Sequence, residues 1–186
     1  MDLLASIIQS TLIYSAPIII AAIGGLYSER SGIVNVGIEG MMMVGGFAGA
    51  ASLAALEGVT SLAPWICLVV ALLAGLAVSV IHAYLSINLR SDQTISGTAI
   101  NIFAGGLTVY LCGILYNQQR TEAFRQGFTK TNIPILSDIP LIGQIFFTRM
   151  YVPVYLTYFI VIITWFLMYK TAFGLRLRGA GENPHA

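Results

Sequence analysis

Charges in this chain are clumped, and long apolar stretches run between the clumps. From Asp2 to Glu29, 26 consecutive residues carry no charge. Between Arg30 and Asp92 the charged residues are Glu39, Glu57 and Arg90, and two further uncharged runs separate Asp92 from Arg120 and Arg149 from Lys170. A helix needs about 20 apolar residues to cross roughly 30 Å of hydrocarbon. The pattern therefore predicts five spans, at Leu3–Tyr27, Ile33–Leu56, Trp65–Leu89, Gly97–Tyr116 and Tyr151–Tyr169. In lipid only a helix satisfies its backbone within one such segment. Barrel strands would alternate polar and apolar residues over about 10 positions, and these runs do not. The expected fold class is all-α, a polytopic membrane protein of about five transmembrane helices in a single membrane domain over residues 1–186.

Composition agrees. Hydrophobic residues make up 57% of the 186 and charged residues 9%, against roughly 25% charged in a soluble domain. Disorder is excluded, because it needs low hydrophobicity and high charge. A net charge of +1 with no basic stripe argues against nucleic acid as a partner. The chain opens Met1-Asp2-Leu3, with no Lys or Arg before Arg30. That opening and the length of the first run fit a span rather than a cleaved leader. Cys67 and Cys112 fall inside spans, without metal-ligand spacing, and are expected to fill core volume.

Lys and Arg favour short cytoplasmic loops. Lys170, Arg176 and Arg178 form the densest basic cluster, which sets the C-terminal end inside. Counting back puts the turns bearing Arg30 and Arg90 inside as well. The N-terminus, Glu57–Pro64 and the long 117–150 loop are then extracytoplasmic. Within that loop, Ile133 to Gly143 places apolar residues between Pro134 and Pro140. It reads either as a cap on the membrane surface or as a plain connector.

Polar groups at membrane depth are expensive and mark candidate sites. Asn35 and Glu39 lie four residues apart and share a helix face, which Met43 and Gly46 continue. The segment Ser31–Gly40 holds three glycines, so a kinked or discontinuous start to the second span is expected. Asn35, Glu39 and Met43, with Thr98 and Asn101 of the fourth span, are the candidates for lining a translocation path. Each also has a plainer reading as an interhelical hydrogen-bonder or core residue, and Glu39 as a group at headgroup level. Gly45, Gly46 and Gly49 permit close helix crossing. His82 reads as a buried hydrogen-bonder rather than a ligand. No His-Glu-x-x-His, Gly-x-Ser-x-Gly or Walker-type loop occurs. No catalytic residue, metal site or cofactor of this chain's own is assigned, and energy for transport must come from a gradient or a partner.

Two segments, Gly24–Met42 and Ser91–Asn101, together with Phe173–Pro184, resemble signatures of permease subunits of bacterial ABC importers. The similar branch handles nucleosides and simple sugars and is related to the branched-chain amino acid permeases. The resemblance implies a cell-membrane protein with three kinds of partner: an ATP-binding-cassette ATPase subunit that binds the ATP, a second permease subunit, and an extracytoplasmic solute-binding lipoprotein. It implies that residues 170–186 begin a cytoplasmic coupling region. Phe173, Gly174, Leu175, Arg176, Arg178, Gly181 and Glu182 would there approach the ATPase. Members of that family continue past the Gly-Glu-Asn-Pro motif, so the chain is expected to represent an N-terminal half. Two other readings stand beside this one: a gradient-driven carrier or channel using Glu39 as its ion site, and a truncated permease that inserts but moves nothing.

Overall fold

The computed structural model describes residues 2–134, 137 and 142–183. In chain order the elements are α1 (Asp2–Arg30), α2 (Ile38–Leu56), α3 (Ala63–Ile87), α4 (Gln93–Tyr116), β1 (Lys130–Thr131), α5 (Ile142–Phe146), β2 (Met150–Tyr151), α6 (Val152–Lys170) and α7 (Ala172–Glu182). Five of these helices, α1, α2, α3, α4 and α6, are long and apolar enough to cross a membrane. Their bounds follow the predicted spans, with two informative differences. α2 begins at Ile38 rather than Ile33, because Ile33–Gly37 is not helical. α4 begins at Gln93 rather than Gly97, because Asp92 caps it: the carboxylate accepts the N–H groups of Thr94 (2.8 Å) and Ile95 (3.0 Å), as an N-cap aspartate does.

The chain forms two compact units: Met1–Gly32 with Phe128–Ala186, and Ile33–Gly127. In the first, α1 packs on α6, with α5, β2 and α7 against it. Its core gathers Ala16, Met150 and Val154 under Leu12, Ile13 and Tyr155. β1 and β2 pair antiparallel, Lys130 opposite Tyr151 and Thr131 opposite Met150. The Tyr155 hydroxyl stands 3.0 Å from the carbonyls of Thr131 and Phe147 and fastens this part of the loop to α6. Most of the apolar stretch between Pro134 and Pro140, the expected cap, lies outside the described residues, as does Pro184.

The second unit is α2 packed between α3 and α4. At its far end the Glu57 carboxylate, just past α2, accepts the backbone N–H groups of Arg125 (2.6 Å) and Gln126 (3.1 Å). Gln126 in turn donates to the Thr60 carbonyl at 2.8 Å. Burial is inverted relative to a soluble protein. Leu72, Ile102, Phe103 and Ile162 are exposed, while His82, Ser96, Thr157 and Thr164 are buried. Lipid rewards that distribution, since tails solvate apolar side chains and leave polar groups to find partners inside.

Candidate translocation and coupling elements

In the second unit the non-helical Ile33–Gly37 lies along a single stripe of α4. Gln93, Gly97 and Asn101 recur every four residues, one above another on the helix face. Gln93 Oε1 accepts the Val34 N–H at 2.8 Å. Gly97 lets the chain come close: a Cβ there would stand 2.8 Å from the Gly37 nitrogen and 3.0 Å from Val36 Cβ. Asn101 makes two bonds, donating from Nδ2 to the Val36 carbonyl (2.9 Å) and accepting at Oδ1 from the Gly40 N–H (2.7 Å). A flipped amide would lose both, so its orientation is determined by its partners. Asn35 closes a local turn, its Oδ1 accepting from the Gly37 N–H at 3.1 Å. A break in a membrane helix frees backbone groups that must be re-satisfied by protein or water. Here α4 does much of that work with two amides and a glycine.

The five expected path residues therefore part company. Both polar ends of Asn101 are engaged by backbone. Asn35 keeps its amide nitrogen nearly free, with only the Met41 sulfur at 3.9 Å. Thr98 is exposed and its hydroxyl donates to the Thr94 carbonyl at 2.8 Å. Met43 is exposed, with its methyl beside Gly105. Glu39 sits exposed in the first turn of α2, its carboxylate without a hydrogen bond or ion pair among the described residues. Gln93, Gly97 and Gly40 were not singled out from sequence. Their signal was the amide–glycine–amide spacing, and it was hidden because the predicted fourth span started at Gly97 and left Gln93 in a loop.

The expected packing glycines also divide. A Cβ on Gly45 would lie 3.0 Å from the Ala71 carbonyl oxygen, and one on Gly49 would lie 3.1 Å from Ala71 Cβ. Both therefore seat α2 on α3. Nothing lies within 4 Å of a Cβ on Gly46, since one residue further on turns the helix about 100° away from that seam. His82 is buried in α3 and its Nδ1 meets the Ser96 hydroxyl of α4 at 3.0 Å, in keeping with a histidine that bonds between helices. Its Nε2 has no partner among the described residues.

In the first unit α7 turns back immediately after α6. The Thr171 hydroxyl donates to the Leu167 carbonyl at 2.6 Å and accepts the Gly174 N–H at 3.4 Å. Gly174 is buried where any Cβ would collide with the Leu167 and Met168 carbonyls. Seven residues later, on the same face, Gly181 meets the end of α1: a Cβ there would collide with the Arg30 carbonyl and lie 3.0 Å from the Gly32 nitrogen. Arg178 lies between these glycines, its guanidinium 5.3 Å over the Tyr169 ring and its Nε donating to the Gly174 carbonyl at 3.2 Å. Phe173, Leu175, Arg176 and Glu182 are exposed. So Gly174, Arg178 and Gly181 face this chain's own helices, and the other expected coupling residues face outward. An open groove of about 550 Å³ runs beside α1, lined by Ser6, Ser10, Thr11, Tyr14 and Ser15. None of the expected path residues contributes to it.

With this geometry in hand, relatives are clear. The chain is 43% identical over its whole length to the guanosine ABC transporter permease protein NupQ of Bacillus subtilis. It is 43% identical over 97% of its length to the nucleoside ABC transporter permease protein NupC of Lactococcus lactis. It is 32% identical over 99% of its length to a putative glucose ABC transporter permease protein, TsgC13, of Haloferax volcanii. The chain spans 58%, 57% and 54% of these three proteins. No solved structure matches it. Five apolar helices and these relatives make it a multi-pass protein of the cell membrane. The family described as branched-chain amino acid transport system / permease component matches residues 7–186, and the chain belongs to that family.

Proposed function

We propose that the chain forms part of the translocation path of an ATP-driven importer whose solute is a nucleoside. The 43% identity to two permeases named for guanosine and nucleosides carries the reading. ATP is bound and hydrolysed on a partner ATP-binding-cassette subunit. A second permease subunit completes the path, and an extracytoplasmic lipoprotein delivers solute. The chain's inner end is the α6–α7 turn, where basic residues cluster.

In this reading the outward face of α7, with Phe173, Leu175, Arg176 and Glu182, meets the ATPase. Solute passes the surface that carries Asn35, Glu39, Met43 and Thr98. Asn101 works behind that surface, holding the start of α2. Amide and hydroxyl groups suit a neutral polar solute, which needs hydrogen bonds rather than a counter-ion.

The test is energetic. In cells that make the protein, uptake of radiolabelled guanosine should collapse when ATP is depleted. It should survive a protonophore under conditions that preserve ATP. Collapse under the protonophore alone would reject an ATP-driven mechanism in favour of a gradient-driven carrier.

A further inference from the structure

We infer that Gly181 is a positioning residue: it seats α7 on the last turn of α1, so that a load on α7 reaches Arg30–Gly32 and, along the chain, Ile33–Gly37. The inference rests on the reading of α7 as the coupling element.

Three observations carry it. First, α7 is held at two points of one face. Gly174 fixes its start against the end of α6, and Gly181 fixes its end against the Arg30 carbonyl and the Gly32 nitrogen. Arg176 stands on the opposite face, about 200° round the helix from Gly174, and is exposed. A force applied there bears on both seats. Second, the α1 seat is a tight turn in close contact with α7. Gly32 has φ +86°, a conformation that L-residues resist and glycine adopts freely. Its N–H bonds the Glu29 carbonyl at 3.0 Å, and a Cβ on Gly32 would itself lie 3.2 Å from Gly181 Cα. Third, Gly32 is followed at once by the broken segment Ile33–Gly37; the Val34 N–H within it and the Gly40 N–H in the first turn of α2 are held by side chains of α4. The one covalent path from the α7 seat onward enters that break. A helix would pass on the displacement stiffly, whereas a break held largely by side-chain bonds can rearrange.

Hydrogen exchange of the full chain in phospholipid nanodiscs, without ATPase or solute, tests this. Gly181→Ala should speed amide exchange about tenfold across peptides covering Arg30–Gly40, the factor that about 1.4 kcal/mol of strain sets. Gly179→Ala makes the same chemical change where nothing lies within 4 Å, and should leave exchange unaltered. Unchanged exchange in Gly181→Ala, or a rise confined to α7, would overturn the inference.

Should Gly181→Ala fail to fold, a second experiment leaves that glycine in place. Ser31→Cys and Ala180→Cys flank the contact by one Cα step of 3.80 Å each, so a bis-maleimide reaching about 12 Å should join the two thiols. The native Cys67 and Cys112 are buried. The linked protein should exchange more slowly over Ile33–Gly40 than the unlinked one. Absence of linking, or linking without slowing, would refute the route. Neither experiment depends on transport, so a failure of the importer reading would leave both results standing.

Discussion

At the scale of single residues, the second unit depends on a few polar atoms with no alternative partners. Asn101→Leu would remove the partner of the Val36 carbonyl and of the N–H of buried Gly40, and a buried unpaired group costs about 1–3 kcal/mol. Asn101→Asp keeps the acceptor for Gly40 and loses the donor to Val36. Thermal melts of detergent-purified protein should therefore rank wild type above Asp above Leu. Equal melting for Leu and wild type would mean that the amide does not hold α2. The glycines of α2 give a sharper contrast. Gly45→Ala drives a methyl toward the Ala71 backbone, and such overpacking costs about 1–3 kcal/mol. Gly46→Ala meets open space and gains up to about 1 kcal/mol of helix propensity. The two substitutions should move the melting temperature in opposite directions. Sequence could nominate all three glycines as packing candidates, but not divide them. The division depends on which way α2 rolls against α3, a property of the pair of helices. Asn101 was legible as a polar group at depth for the same reason that its role was not: its partners lie more than sixty residues away.

Among whole elements, α7 shows how a helix can be recognised and its faces still confused. The basic run Arg176–Arg178 identified a juxtamembrane piece, and its glycines looked like part of one docking surface. The structure separates them. Gly174 and Gly181 recur at seven residues, two helical turns, and turn inward with Arg178, while Arg176 turns out. Replacing the two arginines should therefore have unlike consequences. Arg178→Glu loses the cation–π contact with Tyr169, worth about 0.5–2 kcal/mol, and should lower the melting temperature of the isolated chain. Arg176→Glu should leave that temperature unchanged and weaken co-purification of an ATP-binding-cassette subunit. If the two variants behaved alike in both assays, the two-faced reading of α7 would be wrong. The spans themselves were readable because charge is so scarce that its positions mark helix ends. The start of α2 was misplaced because Ile33, Val34 and Val36 are apolar enough to pass for a span, whereas the glycines and the α4 amides keep the backbone out of the helix there.

For the whole molecule, the question is which way the helices thread the membrane, and the structure adds an argument that charge alone did not supply. The Glu57 carboxylate bonds the backbone of Arg125 and Gln126, so the turn after α2 and the segment after α4 share one side. That parity requires α3 and α4 to cross as a pair. α6 then crosses once more: its 19 residues span about 28 Å at 1.5 Å per residue. On that threading Arg120, before it, and Arg176, after it, are expected on opposite sides of the membrane. By the preference of Lys and Arg for cytoplasmic loops, the α7 end is expected in the cytoplasm. Intact cells treated with a membrane-impermeant maleimide should label a cysteine at Arg120, and label one at Arg176 only after permeabilisation. Labelling of both from outside would break the parity, and labelling of Arg176 alone would reverse the orientation. The same threading would put Glu39, in the first turn of α2, near the cytoplasmic end of its helix. A carboxylate at that depth can stay hydrated and need not carry a coupling ion. Glu39→Gln should therefore leave guanosine uptake independent of proton and sodium gradients, with at most a change in rate. A gradient-driven carrier would need an ionisable group in the membrane, and the carboxylates within the five spans are Glu29, at the end of α1, and Glu39. Uptake that responded to pH or sodium in the wild type, and lost that response in Glu39→Gln, would therefore transfer the chain to that class.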